Sequence, residues 1–145
     1  MKILIEDPSD GEEDTIIIRC RQLDDRLLQF IYEAKMRKEK LTGLLGGTIH
    51  LIDPTSVFYF EAVDNRVFIY CKEQVYESRL KLYEIEAMFR DTSFFRASKS
   101  CILNLDKISN ITSAFNGRLE TTLKNNEKVI ISRQYVPALK EKLGI

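Results

Sequence analysis

One histidine, His50, is all this sequence offers for imidazole chemistry, and no partner for it stands nearby. A catalytic His needs a group that orients it or takes its proton, so His50 reads as structural. The three cysteines, Cys20, Cys71 and Cys101, are odd in number and far apart. They make no CxxC pair and no ligand spacing, which excludes a disulfide framework and a zinc site. All three sit in apolar runs and are expected to be buried free thiols. Gly43, Gly46 and Gly47 lack both the lysine of a phosphate-binding loop and the spacing of a dinucleotide fingerprint. The carboxylates of Glu12-Glu13-Asp14 and Asp24-Asp25 read as a solvated loop and a solvated helix start. No nucleophile has a base assigned to it. No apolar run reaches the roughly 20 residues of a membrane span. The chain turns acidic at Glu6 before any long apolar stretch forms, so no secretory leader is expected and the expected location is cytoplasmic. Neither an enzyme nor a cofactor or metal protein is expected.

What the chain does have is ordinary in amount and uneven in placement. Its 145 residues suit one domain, or one domain with a small extension. A hydrophobic content of 44% with 30% charged residues fits a globular chain that needs no staple. The formal net charge is zero, yet from Phe94 to Ile145 nine Lys/Arg face four Asp/Glu, a net +5. The preceding residues therefore carry −5. Such a split favours a C-terminal half that binds a polyanion.

Periodicity predicts short strands at Lys2–Ile5 and Thr15–Cys20, separated by a turn around Asp10-Gly11. Asp24 is placed to cap a helix with Leu27, Leu28, Ile31 and Ala34 on one face and cations from Lys35 to Lys40 at its end. Leu41–Gly47 reads as a linker. Strands follow at Thr48–Ile52, Val57–Ala62 and Arg66–Cys71, the last two joined through Val63-Asp64-Asn65. Gln74–Glu77 is a further strand. Leu80–Phe89 is helical, with Ser78 as its cap and Leu82, Ile85 and Phe89 on one stripe. Lys107–Ile111 and Arg118–Leu123 flank an Asn116-Gly117 turn. Lys124–Glu127 is a second turn before the strand Val129–Ile131. Pro137 opens a terminal helix carrying Leu139 and Leu143.

Chemistry concentrates in Phe94–Leu105, where Arg96, Ser98, Lys99 and Ser100 are interleaved with inward-facing Phe95, Cys101, Leu103 and Leu105. Arg and Lys contact phosphate, and Arg also reads a guanine edge with two hydrogen bonds. The run Phe95-Arg96-Ala97-Ser98-Lys99-Ser100-Cys101-Ile102-Leu103-Asn104-Leu105 resembles the signature of the LytTR family of bacterial DNA-binding domains. So do Asn116-Gly117-Arg118, the ending Leu123–Tyr135 with its Ser132-Arg133-Gln134-Tyr135, and the opening strands from Ile52 to Cys71. The likeness covers about two-thirds of the chain, from near Gly47 to Leu143.

The resemblance implies a mainly β, α+β fold of small sheets and short helices at residues 47–145. An N-terminal β-β-α extension, residues 1–46, would serve dimerisation or regulation; it is too short for a receiver domain. The function implied is a sequence-specific transcription regulator whose loops enter the major groove of double-stranded DNA. Its contact residues would be Arg96, Ser98 and Lys99, then Asn116, Gly117 and Arg118, then Arg133 and Gln134. Ser98 stands where many members have His, and Gln134 where many have a second basic residue. A homodimer and an inhibitory membrane protein encoded nearby are the implied partners. The competing reading is a protein-interaction module of the same fold that has lost DNA binding.

Overall fold

The computed structural model describes residues 2–145. Three α-helices and ten strands follow in the order α1 (Asp25–Lys38), β1 (Leu41–Leu45), β2 (Thr48–Ile52), β3 (Val57–Val63), β4 (Arg66–Cys71), β5 (Val75–Ser78), α2 (Leu82–Met88), β6 (Phe94–Ser98), β7 (Cys101–Asn104), β8 (Ile108–Ser113), β9 (Leu119–Leu123), β10 (Lys128–Ile131) and α3 (Val136–Leu143). Seven strands form an open sheet in the order β2-β1-β5-β4-β3-β7-β6, and three form a second, β10-β9-β8. Every pairing is antiparallel. The fold is mainly β with short helices, as the sequence implies.

The chain departs from its sequence reading most before Asp25. No strand forms at Lys2–Ile5 or Thr15–Cys20; residues 2–24 contain neither helix nor strand, only the turn at Asp10-Gly11. β-Branched residues favour a strand only where a neighbouring strand supplies its ladder, and here none lies alongside. For the same reason Cys20 is exposed, while Cys71 is half-buried and Cys101 buried. Leu41–Gly47 is not a linker. Leu41–Leu45 is β1, paired residue for residue with β2 from Leu41↔Ile52 to Leu45↔Thr48. Gly46 and Gly47, at φ +56° and +78°, make the two-residue connection that such a hairpin requires.

α1 starts where expected, Asp24 accepting a 2.9 Å hydrogen bond from the Leu27 amide. Its predicted apolar stripe is only half covered, and Met36 is its one buried residue. α2 is capped at Lys81 rather than Ser78: the Lys81 amide donates to Glu84 at 3.1 Å, while Ser78 Oγ accepts from Leu80 one turn upstream. The Asp64-Asn65 turn joins β3 to β4 with both residues at positive φ.

Two cores lie on opposite faces of the central strands. Met36, Phe60, Ile69, Ile85, Phe89, Phe94 and Ile102 gather under α1 and α2. Phe58, Cys101, Leu103, Leu123, Ile131 and Leu139 gather against the three-stranded sheet and α3. All four residues of β7 are buried, Ile102 in the first core and Cys101 and Leu103 in the second. A strand covered on both faces reads as a continuous apolar run rather than an alternating one. That explains why Ile102 faces inward although alternation from Cys101 and Leu103 would put it outside.

Candidate nucleic-acid interface

Three connections carry the predicted contact residues, and the fold brings all three to one side. The first is the β6–β7 turn. The Arg96 side chain is folded back onto it: Nε donates to the Ser98 carbonyl at 2.7 Å and one terminal nitrogen to the Lys99 carbonyl at 2.6 Å. The other terminal nitrogen reaches Glu86 at 3.2 Å. Ser98 Oγ accepts from the Ser100 amide at 3.2 Å. Lys99 is left exposed at the tip.

The second connection, between β8 and β9, holds Asn116 and Gly117, at φ +59° and +72°. The Arg118 Nε donates to the Phe115 carbonyl at 3.0 Å and closes the turn. Phe115, at its apex, is 78% exposed. Sequence reasoning missed it. The signal was available: an aromatic directly before an Asn-Gly turn that fits neither neighbouring strand's alternation.

The third is the β10–α3 junction, Ser132-Arg133-Gln134. The Ser132 amide donates to the Ala97 carbonyl at 2.8 Å, which fixes this junction to the end of β6. A Cβ on Gly117 would lie 3.1 Å from Arg133 Cδ, so the Arg133 stem crosses the central turn at van der Waals distance. A side chain there would push the Arg133 stem aside by a few tenths of an ångström, and the positive φ of Gly117 itself favours glycine. Asn116, Arg118, Ser132 and Arg133 line one shallow groove. Arg118 and Ser132 also border an adjoining hollow with Ser98, Ser100, Tyr59 and Glu61.

The predicted residues therefore sort by geometry. Ser98, Asn116, Arg118 and Arg133 line the joined grooves, and Gly117 lies against the Arg133 stem. Lys99 and Gln134 are exposed on the connections that supply them, and Arg96 is occupied inside the first turn. Among the described residues no carboxylate lies within ion-pair distance of Lys99, Arg118 or Arg133, whereas Lys128 is held by Glu120 at 3.1 Å. Unpaired cations around a groove attract anions, over a range set by salt.

Neighbouring groups are poor reagents. Burial pushes the Cys101 thiol up to about 12, so it stays protonated and is not a nucleophile at neutral pH. Tyr59, stacked on Tyr70 at 4.3 Å, is raised by burial and by the neighbouring Glu127 carboxylate. Among the described residues no group of three His, Cys, Asp or Glu side chains is placed to hold a metal, and no helix is long and apolar enough to cross a membrane.

A β scaffold presenting three loops with unpaired cations around a shared groove defines a domain built to bind a polyanion by its connections. The chain belongs to the LytTr DNA-binding domain family, whose model matches residues 47–144. It is 36% identical over 97 residues to the sensory transduction protein LytT of Enterococcus faecalis, a match covering 67% of this chain but only 40% of that protein. An HTH-type transcriptional regulator of Staphylococcus aureus strain MSSA476, itself uncharacterized, is 30% identical over 135 residues, covering 92% of this chain and 91% of the relative. A solved LytTr DNA-binding domain from Bacillus cereus superposes with a TM-score of 0.70 at 24% identity, covering 73% of this chain and 97% of the other, a likeness of fold. The helix-turn-helix in the staphylococcal designation has no counterpart here: among the described residues strands separate α1, α2 and α3, so no two α-helices are consecutive.

Proposed function

We propose that this DNA-binding regulator reads a specific duplex sequence by inserting its β8–β9 turn and β10–α3 junction into the major groove, with the β6–β7 turn resting on the adjacent backbone. The observation that carries this reading is the meeting of Asn116, Arg118, Ser132 and Arg133 at one groove with both guanidiniums free of carboxylates. Arg133 has the reach and the donor fork for a guanine edge; Asn116 and Gln134 carry amides that pair with adenine. Lys99 and Arg118 suit phosphate, and Ser98 reaches only a near phosphate or base. Regulation of transcription and a cytoplasmic setting go with this reading. So do a second copy of the chain and a restraining membrane protein as partners.

Arg96 enters this proposal as a positioning residue. Three of its N–H groups are already spent within the protein, so it shapes the turn that presents Lys99. Two substitutions separate these roles. Lys99→Ala should weaken binding to all duplexes alike and reduce the slope of log affinity against log salt by about 1. Arg96→Ala should weaken binding while leaving that slope unchanged, because no phosphate contact is removed. Fluorescence titrations across a salt series measure both, and a slope change in Arg96→Ala would make Arg96 a direct phosphate ligand.

The proposal as a whole is tested by selecting from randomised duplex DNA with the purified chain at two salt concentrations, followed by sequencing. A recovered motif of short repeats about one helical turn apart supports it. Weak, sequence-blind binding would favour the interaction-module reading instead.

A further inference from the structure

The two edges of the seven-stranded sheet are unequal. At one end β6 is covered: the Ser132 amide donates to its Ala97 carbonyl, and Leu119, Val129 and Ile131 pack in the same core as Ala97. At the other end β2 is bare. Edge strands are usually blunted by lysine, proline, a bulge or a covering segment. β2, Thr48-Ile49-His50-Leu51-Ile52, has no lysine or proline, its register with β1 is unbroken, and Leu51 is 86% exposed. Because Gly46-Gly47 is a two-residue connection, Leu45 and Thr48 form a hydrogen-bonded pair, and the amides and carbonyls of Ile49 and Leu51 face outward from the sheet.

The same chain carries a strand without a sheet. Thr15-Ile16-Ile17-Ile18 is β-branched throughout, yet Ile16 and Ile17 are 75% and 73% exposed. The geometry points to strand addition between two copies: the Thr15–Arg19 segment of one chain pairs antiparallel with β2 of a second, reciprocally, to form a symmetric dimer. One register satisfies both strands. With Thr15 opposite Ile52, Ile16 lies against Leu51 and Ile18 against Ile49, giving two aliphatic cross-strand pairs on the outer face. Ile17 then stands beside His50, whose ring packs 5.3 Å from Tyr76.

Glu12-Glu13-Asp14 immediately precede the arm strand, and antiparallel pairing carries them past Ile52. At that end of β2 Arg37 pairs with Asp53 at 3.8 Å, and in this register Asp14 falls opposite Asp53, so the Arg37 guanidinium has to serve both carboxylates. A parallel arrangement would take the carboxylates to the opposite end, by the Gly46-Gly47 turn. Length argues for a second copy. α1 has 14 residues and spans roughly 21 Å, and its C-terminal end is the one beside β2. The five residues between the arm strand and α1 reach only about 17 Å fully extended, less than the length of α1, so an arm folding onto its own β2 would be stretched to its limit.

This inference rests on the dimer named under the proposed function and assigns its interface. The test is light scattering on the full chain across the micromolar range, with Ile16→Lys/Ile18→Lys and, separately, Leu51→Lys. All three positions are exposed, so the monomer fold should survive, as circular dichroism can verify. The expected result is a wild-type dimer and two monomeric variants. A second measurement mixes chains bearing Ile16→Cys with chains bearing Leu51→Cys, both in a Cys20→Ser background, and looks for a disulfide between them on oxidation. A monomeric wild type, a dimer that survives both lysine variants, or no disulfide between the mixed chains would each overturn the proposal. The DNA reading fails separately, through the absence of a selected motif, which leaves the oligomer measurements standing.

Discussion

Replacing Arg133 with alanine is expected to weaken binding to the selected operator by about 1–3 kcal/mol, roughly 5- to 150-fold, with relaxed specificity at the position it reads. The loss should appear in binding and not in folding. Arg133 is exposed, makes no ion pair among the described residues, and stands just after an amide that the Ala97 carbonyl holds in place. Truncating it leaves that hydrogen bond intact. Arg133→Lys separates charge from shape: lysine keeps the attraction to phosphate but lacks the planar fork. It should therefore retain sequence-blind affinity and lose discrimination. Competition titrations of operator against scrambled duplex measure the difference. Equal discrimination by wild type and Arg133→Lys would remove Arg133 from base reading.

Asn104→Ala should cost about 3 kcal/mol of stability, since two or more buried polar groups lose their partners at about 1–3 kcal/mol each. Asn104 closes β7 and is 1% exposed. Its amide donates to the Val57 carbonyl at 2.8 Å. Its oxygen accepts from the Ser93 hydroxyl at 2.9 Å and the Asp106 amide at 3.1 Å. One side chain thus ties together β3, the approach to β6 and the turn after β7. Alanine supplies none of these bonds. Urea denaturation measures the loss. Any reduction in DNA affinity should follow the unfolded fraction and vanish under conditions where the variant is fully folded. A loss below about 1 kcal/mol, the net worth of one ordinary hydrogen bond, would mean that the site relaxes to repair itself.

The same residue shows what was legible beforehand. Asn104 stood in the family-like signature, but nothing in a sequence separates an asparagine that touches a ligand from one that satisfies three buried groups. Strands with a period or a turn signal at their ends were readable: β3, β4 and β10 lie within a residue or so of their expected places. Leu41–Leu45 was not, because Gly43 and the double glycine look like a linker. In the fold Gly43 lets β1 approach Tyr76 so closely that a Cβ there would meet Tyr76 Cβ at 2.6 Å. The triple-isoleucine run misled in the other direction, since propensity without a neighbouring strand does not make a strand. At the interface, the loops were legible as segments and their meeting was not. That Arg96 is spent on the Ser98 and Lys99 carbonyls, while Arg133 lies across Gly117, depends on contacts between distant parts of the chain.

The double burial of β7 has a consequence for the energetics of recognition. The turn holding Ser98 and Lys99 is bounded on one side by β6 and on the other by the most enclosed strand in the domain, and Arg96 clasps it from within. Such a turn has little conformational freedom left to lose. Association should therefore incur a small ordering cost there, and its amides should exchange with solvent hydrogen at nearly the same rate with and without DNA, apart from those the duplex itself covers. The exposed β8–β9 turn has no such enclosure, so adaptation to different operators should be concentrated in Phe115–Arg118.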